Sequence, residues 1–311
     1  MKILIVANFN MGKFSPFVTE QAKATEKEGC VIDYFGIKGH GVSGYFSNRK
    51  AYLEKIRQFK PDIVHAHYGL SGLLAVMQSK VPVVITFHNG ETLAPWINVL
   101  SSLGAMRAKY VIYVAEHIRQ LSYYKAKNYS IIPCGIKIED CNIIPFEDAR
   151  KALGFEEGKK YILFGGAFDV LRKNYPLLKE AISLLPNKDN IVCLEMNKLT
   201  KPECTLRMCA CDLFALPTKS EGSPQALKEA MACNCPIVAT DVADIKHLLG
   251  DVEGHYICSF EAANVAEQVT KAFNFGKRTN GRQRIFELGL TNDLVAKKLI
   301  TIYNEVLNTD K

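Results

Sequence analysis

Two glutamates, Glu221 and Glu229, lie in the stretch TKSEGSPQALKEAMACNCPIVATD, which runs from a predicted strand through a turn into a predicted helix. A carboxylate repels phosphate, but it accepts hydrogen bonds from hydroxyl groups. We therefore expect Glu221 and Glu229 to bind parts of a ligand that offer hydroxyl donors. The alternative is that both are ordinary surface acids, and the turn with a strand pattern on either side favours the site.

The turn between the two glutamates has the composition of an anion site. Ser223 is suited to be the N-cap of the helix, with Pro224 at its first helical position. The next backbone N–H groups then lack acceptors within the helix, and the helix dipole adds partial positive charge. With Gly222 leaving room for close approach, the segment up to Gln225 is predicted to bind a diphosphate. A nucleotide sugar combines a diphosphate with a polyol at each end. We therefore expect Glu229 to accept both vicinal ribose hydroxyls and Glu221 to bind hydroxyls of the transferred sugar.

Short apolar runs rich in Val and Ile alternate with amphipathic stretches along the whole chain, which predicts βα units and parallel sheets. The strand-like runs are KILIVA, CVIDYFG, DIVHAH, PVVITFH, YVIYVA, SIIPCG, KYILFGG, NIVCLEM, DLFALPT, PIVATD and HYICS. We predict an α/β fold of two doubly wound, Rossmann-like domains facing a cleft, with ligands at the strand ends. The predicted domains are residues 1–140 on the acceptor side, 141–290 on the donor side, and a C-terminal helix in 291–311 that packs back on the first domain.

The pair of glutamates with seven residues between them, followed by AMACNCPIVATD, resembles the EX7E donor motif of the retaining glycosyltransferases of family 4. The resemblance is specific over roughly residues 160 to 275 and looser in the first half. It implies the two-domain GT-B fold, with Glu221 binding the donor sugar, Glu229 the ribose, and the backbone at 222–225 the diphosphate.

The family also places basic residues after the first strand of the second domain, where GGAFDVLRKNYPLL supplies Arg172 and Lys173. The resemblance implies that they neutralise the charge on the departing diphosphate. Many members carry an Arg directly after the glycine of that strand, whereas this chain has Ala167, so Arg172 is the expected substitute. A solvated basic pair ahead of a helix is the alternative.

In the first domain, the family's TxH element resembles the end of PVVITFH, which makes His88 the first candidate there to bind the sugar or assist proton movement. His65 and His67 alternate along the strand DIVHAH, and we expect only one of them to face a given side, with His67 ranked behind His88. The segment ANFNMGKF follows the first strand and is expected to line the acceptor or diphosphate side with Asn10, Gly12 and Lys13.

The resemblance implies transfer with retention at the anomeric carbon. No carboxylate pair suggests a nucleophile and an acid, so we favour front-face substitution in which the leaving diphosphate takes the acceptor proton. No DxD occurs in the chain, and we expect no metal and no other cofactor. The predicted function is transfer of a hexose-type sugar to a glycan or lipid-linked acceptor in cell-surface polysaccharide synthesis. A nucleotide-sugar epimerase of the same fold, or a non-catalytic nucleotide-sugar binder, is the alternative.

The charge is uneven: residues 1–140 carry 17 Lys and Arg against 10 Asp and Glu, while residues 141–311 carry 22 of each. A basic first domain favours an anionic partner, and it is compatible with peripheral contact at an anionic inner membrane surface and equally with a soluble phosphorylated acceptor. We expect a cytoplasmic protein, and we see no aromatic-interleaved basic run typical of nucleic-acid binding.

The cysteines and one glycine-rich motif do not predict a further ligand site. The ten cysteines show no zinc spacing and are interpreted as small core hydrophobes in a reducing compartment. The GxGxxG at Gly39, Gly41 and Gly44 follows the second strand instead of the first, so we predict a flexible loop there and not a dinucleotide site.

Overall fold

The computed structural model describes residues 1–39, 41–92 and 94–309. It divides into two compact units, one formed by residues 1–135 together with 292–311 and the other by residues 136–291. Compared with the predicted boundary at 140, residues 136–140 belong to the second unit.

Unit 1 contains a parallel sheet with the strand order β2-β1-β3-β4-β5-β6. Its strands are β1 (Lys2–Asn8), β2 (Val31–Ile37), β3 (Ile63–His67), β4 (Val83–Phe87), β5 (Tyr110–Tyr113) and β6 (Tyr129–Ile131). Its helices are α1 (Pro16–Lys27), α2 (Gly41–Ser47), α3 (Arg49–Phe59), α4 (Gly69–Ala75), α5 (Pro95–Arg107), α6 (Glu116–Leu121) and, from the end of the chain, α14 (Asn292–Thr309).

Unit 2 contains a second parallel sheet, with the strand order β11-β10-β9-β7-β8. Its strands are β7 (Lys160–Phe164), β8 (Ile191–Glu195), β9 (Leu213–Leu216), β10 (Ile237–Thr240) and β11 (His255–Cys258). Its helices are α7 (Phe146–Ala152), α8 (Tyr175–Ser183), α9 (Lys201–Ala210), α10 (Gln225–Ala232), α11 (Ile245–Leu249), α12 (Ala262–Phe275) and α13 (Gly281–Glu287). The predicted α/β class with two parallel sheets is confirmed.

The apolar strands are covered on both faces, as a parallel sheet requires. Each sheet has one buried apolar cluster on either side. One face of the unit 1 sheet is covered in part by α14, whose buried Leu299 and Tyr303 lie in one cluster with Ile3 and Ile5 of β1. The C-terminal helix is therefore part of the core of unit 1.

The sheet of unit 2 reverses its winding between β7 and β9, which are neighbours in space. The chain leaves β7 toward β8 on one side, whereas β9 continues to β10 and β11 on the other. Such a reversal opens a crevice at the carboxyl ends of the two central strands. In unit 1 the corresponding reversal lies between β1 and β3.

Candidate functional site

The loops after β7 and β9 bring three predicted site residues of unit 2 together. Glu221 Oε1 accepts hydrogen bonds from Arg172 Nη1 at 2.8 Å and from Lys173 Nζ at 2.7 Å. Thr218, two residues after β9, donates a hydrogen bond from its hydroxyl group to the same oxygen at 3.1 Å. The sequence placed these groups in separate motifs, and the reversal of the sheet makes them one cluster.

The two cations of this cluster differ in their surroundings. The side chain of Lys173 is 14% exposed, whereas that of Arg172 is 49% exposed and also donates to the carbonyl of Ser220 at 2.8 Å. A β-carbon on Gly166 would lie 2.8 Å from Lys173 Cγ, so the glycine leaves the space that the lysine stem occupies. Lys173 is therefore the more fixed of the two positive charges.

The helix after the turn begins one residue later than predicted. Pro224 is the N-cap of α10, the first helical residue is Gln225, and no side chain caps the helix. Ser223 does not cap because its hydroxyl donates to Asp244 Oδ2 at 2.9 Å and accepts from Lys228 Nζ at 3.2 Å. The predicted capping role of Ser223 is wrong, since a tertiary partner competes for the hydroxyl.

Lys228 is a functional candidate that the sequence reasoning did not identify. It is fully buried on α10, and its ammonium group reaches Asp244 through the Ser223 hydroxyl. Burial raises the pKa of Asp244, although the positive charge of Lys228 and the Ser223 hydrogen bond lower it. A lysine between apolar positions of a helix that precedes a strand was the available signal.

Two polar atoms beside the start of α10 are buried without a hydrogen-bond partner in the structure. They are Gln225 Nε2, a donor, and Asp244 Oδ1, an acceptor. An unpaired buried polar group costs about 1–3 kcal/mol, and such atoms mark places where a ligand or a water completes the bonding. Gly222 lies in the partly exposed loop just ahead of them.

Glu229 lies on α10 one turn beyond Gln225, as predicted from the helical spacing. Its carboxylate is mostly buried and contacts the ammonium group of Lys201, the first residue of α9. Lys201 was not among the predicted site residues because 28 positions separate it from its partner. The pairing places a positive charge beside the carboxylate that was expected to bind ribose.

In unit 1 the predicted histidines form a stack at the ends of β3 and β4. The ring centroids of His65 and His67 are 4.5 Å apart, and those of His67 and His88 are 5.3 Å apart. The expectation that only one of His65 and His67 faces a given side is wrong, because residues two apart on a strand share a face.

His88 has hydrogen-bond partners on both ring nitrogens. His67 Nδ1 and His88 Nε2 share a hydrogen bond of 3.0 Å, and Cys134 Sγ lies 3.6 Å from His88 Nδ1. Burial lowers the pKa of His67 to about 3, so this ring is neutral and its tautomer decides which nitrogen donates. His88 is only partly buried, and it is the member of the stack that reaches the surface.

His65 has a structural role at the other end of the stack. Its Nδ1 lies 2.6 Å from the Tyr303 hydroxyl of α14, and its Nε2 lies 2.7 Å from Thr86 Oγ1. Burial, with the neighbouring His67 and His88, holds the pKa of His65 well below its usual value. His65, on β3, therefore connects α14 to the sheet through its hydrogen bond with Tyr303.

The three predicted site residues after β1 have different surroundings. Asn10 Oδ1 accepts from Gly39 N at 2.7 Å and Asn10 Nδ2 donates to Gly39 O at 2.9 Å, so its amide holds the glycine-rich segment. Gly12 lies in an exposed turn with φ +70°. Lys13 lines a pocket of about 360 Å³ together with Tyr45, Tyr68 and Glu91.

The glycine-rich segment is not the flexible loop that was predicted. Gly41 begins the helix α2, which also contains Gly44, while His40 lies outside the described residues. A β-carbon on Gly39 would lie 2.9 Å from Gly44 Cα, so these glycines allow two backbone segments to touch.

Glu91, three residues after His88, is a second candidate that sequence reasoning missed. Its buried carboxyl accepts from Gly69 N at 2.9 Å and from His88 N at 3.0 Å. Burial raises the pKa of Glu91 to about 7, although these backbone hydrogen bonds lower it. A carboxyl that changes its protonation near neutral pH beneath a pocket is typical of a functional position.

Across residues 1–39, 41–92 and 94–309, no group of three or more His, Cys, Asp or Glu side chains is placed to hold a metal ion. None of the ten cysteines, all of which lie in the described ranges, forms a disulfide, and all except the half-buried Cys193 are buried. Within the same ranges, no helix has both the length and the apolar character needed to cross a bilayer.

Comparison with known proteins finds a glycosyltransferase family model in each half of the chain. The protein-family model described as Glycosyltransferase Family 4 matches residues 17–140. The family model described as Glycosyl transferases group 1 matches residues 198–274. A curated relative, the putative teichuronic acid biosynthesis glycosyltransferase TuaC of Bacillus subtilis, is 28% identical over 249 residues. That alignment covers 70% of this chain and 62% of the relative, so the chain spans less than two thirds of its length.

Two solved structures share the fold at low sequence identity. Sucrose-phosphate synthase from Thermosynechococcus elongatus superposes with a TM-score of 0.83 at 16% identity, covering 99% of this chain and 100% of that chain. Anabaena HepE in complex with UDP-glucose superposes with a TM-score of 0.73 at 15% identity, covering 99% of each chain. With two parallel-sheet units and a family model matched in each, this chain belongs to the glycosyltransferases of the family 4 type and has their GT-B fold.

Proposed function

We propose that the protein is a retaining glycosyltransferase that needs no metal and moves a hexose-type sugar from a nucleotide diphosphate sugar to an acceptor. The observation that carries the proposal is the cluster of Glu221 with Arg172 and Lys173 at the sheet reversal of unit 2, next to the start of α10. A carboxylate for sugar hydroxyls and two cations for a diphosphate lie side by side there. Membership of the family supports the same reaction class.

The donor is proposed to lie along the loop that joins β9 to α10. Its diphosphate would meet Lys173, Arg172 and the first backbone N–H groups of α10, since helix N-termini attract anions. The unpaired Gln225 Nε2 is a further donor available to it. Glu229 would accept the ribose hydroxyls once Lys201 shares or yields the carboxylate.

The reaction is proposed to proceed on the front face of the sugar. In the part of the chain that the structure describes, the side chains that hydrogen-bond to Glu221 are those of Arg172, Lys173 and Thr218, and a second carboxylate for a double displacement is not among them. The leaving diphosphate would take the acceptor proton while Lys173 and Arg172 stabilise its developing charge. His88, the surface end of the histidine stack of unit 1, remains a proposed sugar-binding or proton-transfer residue.

The acceptor is proposed to be a glycan or a lipid-linked glycan of cell-surface polysaccharide synthesis. The relative TuaC is named for teichuronic acid biosynthesis, which is a process of this kind. The pocket lined by Tyr45, Tyr68 and Lys13 in unit 1 offers aromatic faces, hydroxyls and one cation, which suit a sugar ring with an anionic group. We propose that the protein works in the cytoplasm at the membrane surface.

The first test is thermal unfolding with UDP-glucose, the nucleotide sugar bound by HepE, beside GDP-, ADP- and CMP-sugars. We expect one nucleotide class to raise the unfolding temperature, and Glu229→Ala to abolish that rise because the ribose loses its acceptor. The exposed Glu180 provides the matched control, so Glu180→Ala should retain the full shift. A shift that survives in Glu229→Ala would contradict the ribose assignment.

The products formed with and without an added acceptor distinguish the proposed reaction from its alternatives. Transfer of the sugar to an added acceptor, with release of the nucleotide diphosphate, supports the transferase. A changed nucleotide sugar formed from donor alone would indicate an epimerase, and binding without any turnover across an acceptor panel would indicate a binding protein. An unchanged rate in Glu221→Gln would refute the donor-sugar site.

A further inference from the structure

The helix α5 turns its large apolar side chains outward. Trp96, Val99, Leu103 and Met106 are each between 48% and 58% exposed. Their spacing of three, four and three residues places them on one face of the helix. A helix that packs on a sheet normally buries such a face, so this exposed stripe needs a separate explanation.

The inward face of α5 is made of small and polar residues. Asn98, Ser101, Ser102, Gly104 and Ala105 are buried. A β-carbon on Gly104 would lie 2.9 Å from the backbone nitrogen of Leu73, so the small residues let α5 approach α4 closely. The core of unit 1 is therefore complete without the bulky side chains of α5, which stay free for another contact.

The last residue of α6 and the loop after it extend the same surface. Leu121 and Tyr123 are more than half exposed. Asn98 holds this loop beside α5, because its Nδ2 donates to Leu121 O at 2.8 Å and its Oδ1 accepts from Tyr123 N at 3.0 Å. We call the surface formed by Trp96, Val99, Leu103, Met106, Leu121 and Tyr123 the α5 face.

Basic side chains outnumber acidic ones in the segments that form the α5 face, and the one acid of α6, Glu116, is paired with Arg119 at 3.3 Å. Residues 92–115 contain no Asp or Glu. Arg107 is exposed at the end of α5 and lines one concavity with Lys80 and Lys109. Lys125 and Lys127 follow Tyr123 at exposed positions. Apolar side chains that include Trp and Tyr, bordered by Lys and Arg, are the pattern of a surface that lies in the interface of an anionic bilayer.

We propose that the α5 face docks unit 1 onto a lipid surface with anionic headgroups. The apolar side chains enter the boundary between headgroups and acyl chains, and the basic residues contact the lipid charges. The proposal rests on the exposure, packing and charge of α5 alone and does not depend on the donor site. Nucleotide binding, measured separately, shows whether a failure belongs to the docking surface or to the proposed reaction.

Trp96 is the only tryptophan of the chain, which makes its fluorescence a direct probe of the α5 face. The full chain is mixed with vesicles of phosphatidylcholine alone and with vesicles that also contain phosphatidylglycerol. We expect a blue shift of Trp96 emission and co-sedimentation with the anionic vesicles, weakened by salt, and little of either with the neutral ones. Lipids brominated on the acyl chains should quench the emission.

The double variant Leu103→Ser with Met106→Ser keeps Trp96 as the reporter and removes two apolar side chains from the α5 face. We expect its affinity for the anionic vesicles to fall by at least about tenfold, since each buried apolar side chain contributes to interfacial binding. The matched control is Leu184→Ser, an equally exposed leucine of unit 2, which should bind like the unchanged chain.

Two results would overturn the proposal. The first is unchanged emission and sedimentation of the natural chain with anionic vesicles. The second is self-association of the vesicle-free chain that the double variant abolishes in sedimentation velocity, because the α5 face would then be covered by a second copy. Circular dichroism spectra that match between variant and natural chain exclude loss of folding as the cause of a weaker affinity.

Discussion

At the scale of single residues, the donor site depends on how one carboxylate holds two cations of unequal freedom. Lys173 is mostly buried. Its ammonium group contacts Glu221, and its aliphatic stem occupies the space beside Gly166. Arg172 is half exposed, and solvent screens its interaction with Glu221. The more buried cation should therefore contribute more to stabilising charge on a leaving diphosphate.

This difference predicts a larger effect for Lys173→Met than for Arg172→Gln. Loss of a fixed charge aimed at a transition state costs about 3–4 kcal/mol, so we expect kcat to fall by roughly 100-fold or more in Lys173→Met. Lys219→Met, an exposed lysine of the neighbouring loop, is the matched control and should retain activity. Equal losses in the Lys173 and Arg172 variants would contradict the assignment.

The raised pKa of Glu91 predicts a pH dependence of stability with a definite sign. A carboxyl whose pKa is raised by folding stabilises the protein fully below its unfolded value of about 4.5, and this stabilisation is lost as the pH rises through about 7. The depressed pKa of His67 acts in the opposite direction between about 6.5 and about 3, so the natural chain alone does not isolate Glu91.

We therefore compare the free energy of unfolding of Glu91→Gln with that of the natural chain across this pH range. The natural chain should lose stability relative to the variant as the pH rises, by up to about 3 kcal/mol. Denaturant titrations at fixed pH steps measure the difference. A difference that does not vary with pH would mean that the Glu91 carboxyl titrates at an ordinary value.

At the scale of elements, the reversal of winding between β7 and β9 is what assembles the site. The loop after β7 carries Gly166 and Lys173, and the loop after β9 carries Thr218 and Glu221. Both loops leave the carboxyl ends of adjacent strands, so residues 48 positions apart in sequence meet at 2.7 Å. The position of Lys173 within the first loop depends on the missing side chain at Gly166.

Gly166→Ala should disturb Lys173 without unfolding unit 2. The added β-carbon would lie 2.8 Å from Lys173 Cγ, so the lysine stem must shift away from Glu221. We expect roughly a tenfold loss of transfer rate with a small change in unfolding temperature, because misplacing a positioned group by a fraction of an ångström is costly. In a Lys173→Met background the same change should have little further effect, and independent losses would refute this coupling.

At the scale of the whole molecule, the chain passes from unit 1 to unit 2 at residues 135–136 and returns at residues 291–292. The returning helix α14 packs on β1 and α1 and bonds to His65 through Tyr303. The last residues of the chain are thus needed for the core that the first residues begin. Each unit nevertheless has its own buried clusters.

Leu299→Ala tests whether the two units have separate cores. Truncating a buried leucine costs about 2–5 kcal/mol, and we expect faster hydrogen exchange in β1 and α1 of unit 1 with little change in β7 and β9 of unit 2. The reciprocal variant is Leu178→Ala, a buried leucine of α8, which should affect unit 2 alone. Equal effects of either variant on both units would mean that they unfold together.

The sequence by itself determined the eleven strands, the βα alternation and the family, because parallel strands buried on both faces are continuous apolar runs that can be read locally. It also placed Glu221, Glu229, Arg172 and Lys173 at strand ends and a helix start. These positions follow from local patterns and short spacings.

Only the tertiary structure decided which of these groups meet and which are buried. The Lys201 contact with Glu229, the Lys228 and Asp244 pair that takes the Ser223 hydroxyl, and the burial of Glu91 each join segments that are far apart or packed by neighbours. The outward face of α5 is of the same kind, since its large apolar residues predict an inward stripe until the close approach of α4 is known. Burial and long-range partners depend on how elements pack, which no local pattern encodes.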